Sequence, residues 1–571
     1  MRRSLRSLVV LASLVLVAGG QATAVAADTG VASASAATGS PLDLGDPTLA
    51  RPPSETVRPR HFRLAATDVI AIAQGLPGPR GALASRDGAE MVAYTHGIGR
   101  WQVRVVAGAR TLSLVEIEDR TGKALEASAF SWPPIPTKNN RHKSQLGYLL
   151  LGLSVLFVAP FFDPRRPFRL LHLDLLVLAG FLGSLLVFNR GEILTSVPLV
   201  YPLLAYLLVR MLVLGLRQRR AREPLIPFLP MRWLLVGLAL LITFRVGYNV
   251  LETEPNDVGY AGVFGANSIH HGWQLYADDQ FHLDTYGPVN YLAYLPFELV
   301  FPMDENWARD GLPAAHAASI TFDLLTLLGM FLVGRRLRPG VAGRNLGVAL
   351  AFAWAAFPWS FFVLALNTND SLVAMFLVYG LLVLTSPALR GVVLALGAAT
   401  KFAPLALVPL FLTAAAERSR RSMAVFAAVF VAVIAMVVLA YLPDGGLREL
   451  YEATLGFQRS RRSFYSLWGQ YPELDWLQGG LQVATAALAL AVAFVPRQRT
   501  PAQVAALGAA VIIALQLTTI YWFYVYLVWF APLAFVAIFA VRRSGAADEV
   551  AAVGGDRAAA IGLPAVDAAP V

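Results

Sequence analysis

The sequence predicts a polytopic α-helical membrane protein of about 13 spans, with a small exported α+β domain at its N-terminus. Three observations predict it. First, of 571 residues 56% are hydrophobic and only 15% are charged, and the mean hydropathy is +0.57. Soluble domains carry roughly 25% charged residues, so an ordinary soluble enzyme is excluded, as is a disordered chain. Second, apolar runs recur from residue 145 onward, many near the roughly 20 residues that a bilayer requires. Third, Lys and Arg cluster between alternate runs, where cytoplasmic ends belong. Those clusters account for the formal net charge of +10, so no nucleic-acid partner is needed. With no cysteine in the chain, disulfides, thiolate metal sites and cysteine nucleophiles are excluded.

Residues 1–26 have the pattern of a secretory signal: Arg2, Arg3 and Arg6, then an apolar stretch from Leu8 to Val17, then Ala24-Val25-Ala26. An uncleaved anchor helix is the alternative. Residues 27–60 are rich in Ala, Ser, Thr, Gly and Pro and read as a flexible linker. In 61–135, helical spacing from Ala65 to Gln74 precedes strand-like stretches at Glu90–Tyr94, Trp101–Val106 and Thr111–Ile117, with a turn at Asp119–Gly122. That order resembles a PepSY-type module, which implies regulation or interaction. An unrelated α+β domain fits the same pattern.

The membrane domain is expected over 145–543. Its runs begin near 145–162, 170–188, 196–216 and 233–250. After a polar segment they continue near 314–334, 345–365 and 371–385. The stretch 391–415 holds Lys401 and Pro404 and reads as two short spans meeting there. Runs near 422–442, 479–495, 501–518 and 521–541 follow. An exported N-terminus puts nearly every basic cluster inside, and places the protein in the plasma membrane as a multi-pass protein. The Ala/Gly-rich segment 544–571 reads as a disordered cytoplasmic tail.

Two large loops, 251–313 and 443–478, then face outward. The first is acidic and aromatic, with Asp257, Asp278, Asp279, Asp284 and Glu298 beside His270, His271 and His282. The second holds Arg459, Arg461 and Arg462 on the side where basic clusters are unusual. Guanidinium groups bind phosphate oxygens bidentately, so a lipid phosphate is one explanation. Solvent or headgroup contact is the other.

The first loop carries Asp257-Val258-Gly259-Tyr260, Gly272-Trp273-Gln274-Leu275-Tyr276, and Tyr286-Gly287-Pro288-Val289-Asn290-Tyr291 running into Leu295-Pro296-Phe297. This order resembles the external loop of GT-C glycosyltransferases, and most of all polyprenol-phosphate-mannose-dependent mannosyltransferases of the family 87 kind. Thr400-Lys401-Phe402-Ala403-Pro404 is similar to that family's Lys-x-x-Pro hairpin, and 521–530 to its aromatic last span. The resemblance covers about 230–540. It departs at Gly287, where proline is commoner, and in the three spans and exported domain that precede the loop.

The resemblance implies transfer of a hexose, mannose by preference, from a polyprenyl-phosphate donor to a cell-envelope glycan or lipid acceptor. Membrane lipids would be the surroundings. No cofactor is implied, because a monophosphate leaving group does not oblige a divalent metal. A carboxylate would take the acceptor proton and cations would stabilise the leaving phosphate. Asp257 is the base candidate, and a helix cap is its other reading. Lys401 joins Arg459, Arg461 and Arg462 as phosphate ligands, or forms a structural pair with Asp323 or Asp370. Tyr260, His270, His271, Tyr276, Asp284, Tyr286, Asn369 and Asp370 are the substrate-binding candidates. The plainer alternatives are packing or solvent contact for the histidines, a structural turn for Asp284 to Pro288, and a helix cap for Asn369 and Asp370. Asp278-Asp279 reads as a solvated turn, and the aromatic residues at 521–529 as an interfacial belt.

Two other classes fit a many-span chain with intramembrane charges. A secondary transporter would show repeated halves, and no internal repeat is found. A receptor-like regulator would need a cytoplasmic output, and only short basic loops and a featureless tail are available.

Overall fold

In a computed structural model of the chain, the described residues are 49–52, 54–59, 62–84, 88–96, 100–107, 110–129, 143–189, 193–217, 230–276, 284–303, 311–414, 419–460 and 465–542. The expected signal (1–26) and tail (544–571) lie outside them.

The alternating residues of the N-terminal domain build an antiparallel meander. Its strands are β1 (Leu49–Ala50), β2 (Ala89–His96), β3 (Arg100–Ala107), β4 (Arg110–Glu118) and β5 (Ala124–Ala129), in that order across the sheet. Helices α1 (Ala66–Gln74) and α2 (Pro77–Ala84) pack on it. Trp101, Val103, Val115 and Ile117 share one face of the sheet and meet Val69 and Ala73 of α1, as a period of two requires. The Asp119–Gly122 turn has a structural task. The Asp119 carboxylate accepts from Arg63 N (2.7 Å), Leu64 N (3.0 Å) and Trp101 Nε1 (2.9 Å), tying the helical entry to the sheet. Strands β1 and β5 lie beyond the expected set. The sequence of β5, ALEASA, lacks the branched and aromatic residues that signal a strand.

The remaining chain is helical. Its principal helices are α3 (Lys143–Val158), α4 (Leu170–Phe188), α5 (Val200–Leu216), α6 (Met231–Glu252), α7 (Asp257–His270), α8 (Pro288–Val300), α9 (Pro313–Leu337), α10 (Gly340–Ala356), α11 (Pro358–Ala365), α12 (Asp370–Leu382), α13 (Pro387–Ala398), α14 (Val408–Leu412), α15 (Arg420–Ala440), α16 (Asp475–Ala491), α17 (Pro501–Thr518) and α18 (Leu527–Phe539). Their starts follow side-chain chemistry. Asn256, Ser386, Ser419 and Thr500 accept from first-turn amides of α7, α13, α15 and α17, and proline opens α13 and α17.

Among the described residues, six helices are long and apolar enough to cross a membrane, and α10 with α11 makes a seventh, bent by 54°. Pro358 cannot continue α10. Of the other expected spans, those near 145–162, 371–385, 391–415 and 521–541 coincide with shorter apolar helices of 10–17 residues, and the run near 479–495 falls on the 17-residue α16, which meets neither criterion. Length and composition therefore support six or seven spans where about 13 were expected. Polar insertions at 367–370 and 400–401 and prolines at 358 and 404 divide the apolar runs.

Close packing sets the bundle. α9 lies along α10 where a Cβ on Gly334 would sit 2.3 Å from Gly347 N, so only glycine permits that approach. α17 packs between α5 and α18, and α13 packs on α15. One buried ion pair fixes α6 to α9. Arg245 Nη2 donates to Asp323 Oδ1 (2.6 Å), its Nη1 to Ala355 O (2.9 Å) and Ser360 Oγ (3.1 Å), and Trp354 Nε1 also donates to Asp323 (2.9 Å). Removing one partner of a buried pair costs about 3–5 kcal/mol, because the other charge is stranded. Arg245→Met is expected to lower the thermal midpoint sharply in detergent, and Asp323→Asn added to it should recover most of the loss.

Candidate functional site

The site forms where α6 ends, α7 begins and the chain turns from α11 into α12. Asn367 sits at that turn with φ +52°, a left-handed conformation that asparagine tolerates. Its Oδ1 accepts from Asn249 Nδ2 (2.7 Å) and its Nδ2 donates to Thr253 Oγ1 (3.1 Å). The same Asn249 amide donates to Leu364 O (2.6 Å), and Asn256 N donates to Leu366 O (3.1 Å). These bonds pin the 364–367 backbone to the entry of α7. Asp257 is thereby held half-buried at the first position of α7. The cap itself is Asn256, whose Oδ1 accepts from Val258 N and Gly259 N (both 3.2 Å).

Three residues on, the chain delivers Asp370. Its Oδ1 accepts from Lys401 Nζ (2.6 Å) and Trp529 Nε1 (2.8 Å), and its Oδ2 from Thr368 Oγ1 (2.7 Å). Of the two partners open to Lys401 in sequence, Asp370 is the one found, while Asp323 pairs with Arg245. The Lys401 ammonium also lies 5.2, 5.8 and 5.4 Å from the ring centroids of Tyr286, Tyr526 and Trp529. This is a cation–π cage around a side chain only 8% exposed.

The 286–290 segment lies directly on this hairpin. Gly287 N donates to Thr400 O (3.2 Å), and a Cβ at Gly287 would fall 2.0 Å from Ala399 O. That contact explains glycine at the position where the resembling family favours proline. Asn369 does not cap α12 with its side chain; its Nδ2 donates to Asn290 Oδ1 (2.6 Å). Around these residues, buried polar atoms find no partner: Asn290 Nδ2, Asn369 Oδ1, Tyr294 OH, Ser319 Oγ and Ser371 Oγ. Most buried polar groups are paired, so this patch has capacity for water or a hydroxyl-bearing ligand.

Tyr276, Asp284 and Tyr286 come together as a turn. Tyr276 N donates to Asp284 Oδ2 (3.1 Å), Tyr276 OH to Tyr286 O (2.8 Å), and Tyr286 N to Tyr291 OH (3.1 Å). Burial, with the Asp284 carboxylate adding to it, pushes the Tyr276 phenol well above its ordinary pKa. Burial also raises the Tyr260 phenol, against the Arg100 guanidinium of the N-terminal domain, which lowers it. Asp278, Asp279 and His282 lie outside the described residues.

His270 and His271 take separate paths. His270 Nδ1 is 2.8 Å from Glu298 Oε2, and Asn267 Nδ2 donates to Glu298 Oε1 (3.0 Å). Glu298 is fully buried. His271 stacks on Trp273 at 4.9 Å. Among the described residues no three His, Asp or Glu side chains converge to hold a metal ion.

In the second loop Arg459 falls on a short helix, Phe457–Ser460, and Arg461 and Arg462 lie outside the described residues. The chain that follows them is anchored: Ser466 Oγ donates to Ile520 O (2.6 Å), Leu467 N to Tyr201 OH (2.8 Å), and Trp468 Nε1 to Leu517 O (3.0 Å). Tyr465 meets Tyr521, which in turn meets Tyr526 of the Lys401 cage. The aromatic set at 521–529 therefore turns inward instead of forming a belt. Trp522, Tyr524 and Trp529 are buried, and Trp522 Nε1 donates to Gln516 Oε1 (3.1 Å). Trp529, Asn290, Tyr294 and Glu298 are site neighbours that sequence reasoning did not select. Asn290 and Trp529 stood inside the quoted motifs and Glu298 among the acids of the first loop, each without an assigned role, and Tyr294 carried no signal.

Residues 285–563 match the model of glycosyltransferase family 87. The matched region includes Tyr286, Asn369, Asp370, Lys401, Arg459, Arg461 and Arg462; Asp257, Tyr260, His270, His271, Tyr276 and Asp284 precede it. A search of curated proteins finds no match to the chain. The family match supports a glycosyltransferase, and the apolar helices support a membrane protein. The PepSY-like resemblance of the N-terminal domain has no support from these comparisons.

Proposed function

We propose that the protein is a GT-C-type membrane glycosyltransferase that moves a hexose, mannose by resemblance, from a polyprenyl-phosphate donor to a cell-envelope glycan or lipid on the non-cytoplasmic face. The observation that carries this reading is the caged Lys401–Asp370 pair beside a patch of unpartnered buried polar atoms, inside the matched region. An ammonium has three donors, and one is taken by Asp370. In this reading the other two turn to a phosphate oxygen when the donor enters the cage, and the unpartnered amide and hydroxyl atoms suit sugar hydroxyls.

The chemistry is a single displacement. The acceptor oxygen attacks the anomeric carbon as its bond to the phosphate oxygen breaks, with inversion. The acceptor proton goes to Asp257, and the phosphate leaves with the bonding pair, stabilised by Lys401 and the 459–462 arginines. The chain needs no metal to balance this step. Incubating the purified protein with a panel of polyprenyl-phosphate sugars tests the reading. Label should leave the mannosyl donor, and absence of release from every donor in the panel contradicts it.

The basic loop gives a separate prediction. Gln at Arg459, Arg461 and Arg462 together is expected to weaken donor use at least about tenfold, with Lys rescuing only in part because the bidentate fork is lost. Unchanged donor affinity would assign the cluster to headgroups or solvent.

A further inference from the structure

α9 and α12 carry the candidate site at their N-terminal ends, through His316, whose Nδ1 lies 2.9 Å from Asn249 Oδ1, and through Asp370. Their other ends frame a different feature. From His316 to Arg336 the α9 axis advances about 30 Å at 1.5 Å per residue, so the two features are well separated. There a surface cleft of about 490 Å3 is lined by Leu332, Arg335, Arg336, Leu382, Thr385 and Leu389 among others.

The cleft has a charged mouth and an apolar floor. Arg335 and Arg336 are exposed, and among the described residues neither pairs with a carboxylate. Arg336 Nη2 donates to Thr385 Oγ1 (2.7 Å), which holds one guanidinium at the mouth. The N-terminus of α13, capped by Ser386, adds the positive pole of a helix. Leu328, Leu332, Arg335 and Arg336 are spaced i, i+4, i+7 and i+8, so they form one stripe on α9. Leu328 and Leu389 are 45% and 53% exposed. An exposed apolar stripe on α9 thus runs into the cleft and ends at two arginines that, among the described residues, have no carboxylate partner.

We infer that this cleft binds an anionic phospholipid, with its headgroup phosphate between Arg335, Arg336 and Thr385 and an acyl chain along Leu328, Leu332 and Leu389. Charge complementarity selects this occupant. A zwitterionic head would bring a cation to two guanidinium groups, and a free anion would leave the apolar stripe uncovered. The inference stands independently of sugar transfer.

The test uses the full-length protein, purified in detergent and stripped of lipid, with phosphatidylglycerol, phosphatidylcholine and inorganic phosphate as probes. Native mass spectrometry is expected to show phosphatidylglycerol retained, and retention should fall at least about tenfold in the Arg335→Gln/Arg336→Gln variant, since two charge-assisted contacts are lost. Arg344→Gln, at the same end of the bundle, should retain it fully. Leu389→Gln, which alters an exposed side chain, should also weaken retention, so the idea stays testable if the double variant fails to fold. Equal retention of phosphatidylcholine, thermal protection by inorganic phosphate alone matching that of the lipid, or unchanged retention in the variants would overturn it.

Discussion

Asp257→Asn is expected to lower sugar transfer by about 10²–10⁴-fold, the usual cost of losing a general base, while leaving the fold and donor binding nearly intact. Asparagine keeps the size and one acceptor oxygen but takes no proton at neutral pH. The α7 cap does not depend on this residue, because Asn256 supplies the side-chain oxygen that accepts from Val258 and Gly259. What Asp257 offers the helix is a first-turn negative charge, worth about 0.3–1 kcal/mol. A thermal midpoint read beside the transfer rate separates chemistry from stability in this variant. Near-normal transfer in Asp257→Asn would give Asp257 a structural role and move the search for the base to Asp284, Asp278 or Asp279.

Lys401→Met carries the second large effect, on two observables at once. It strands the Asp370 carboxylate among Thr368, Trp529 and apolar walls, and breaking a buried pair in this way costs about 3–5 kcal/mol. It also removes the cation proposed to meet the donor phosphate, where loss of one stabilising donor typically costs about 10²–10³ in rate. Lys401→Met combined with Asp370→Asn distinguishes the two. The neutral pair should regain most of the thermal stability, and transfer should stay low. Recovery of both would make the pair purely structural and leave the phosphate to the arginines of the second loop.

Much of the architecture was legible because it depends on local pattern. The helix expected from Ala65 is found from Ala66, and three strands fall within a residue or two of their expected limits. The short hairpin at Lys401 was marked by Pro404 and a charge inside an apolar run. The ion pairs were less legible. Lys401 lies 31 residues from Asp370, and nothing in the intervening sequence chooses Asp370 over Asp323. Only the packing of α9 on α10, which presents Trp354 and the α6 arginine to Asp323, makes that choice. The aromatic set at 521–529 was misleading for a similar reason. Tyr and Trp near a span end look alike whether they face headgroups or the bundle. Here the three-residue helical turn at Tyr524–Tyr526 aims Trp529 at Asp370. Glu298 was visible as one acid among many, and its burial against Asn267 and His270 depends on how α7 crosses α8.

The central claim is that the donor is a sugar on a polyprenyl monophosphate and that Asp257 takes the acceptor proton. The most direct measurement reconstitutes the protein in liposomes and follows labelled mannose supplied either as the polyprenyl-phosphate ester or as a sugar nucleotide, in wild type and in Asp257→Asn. The account predicts label transfer from the polyprenyl donor alone, and its near-complete loss in the variant with the protein still folded. Transfer from the sugar nucleotide without a polyprenyl intermediate, or equal rates in the two proteins, would contradict it.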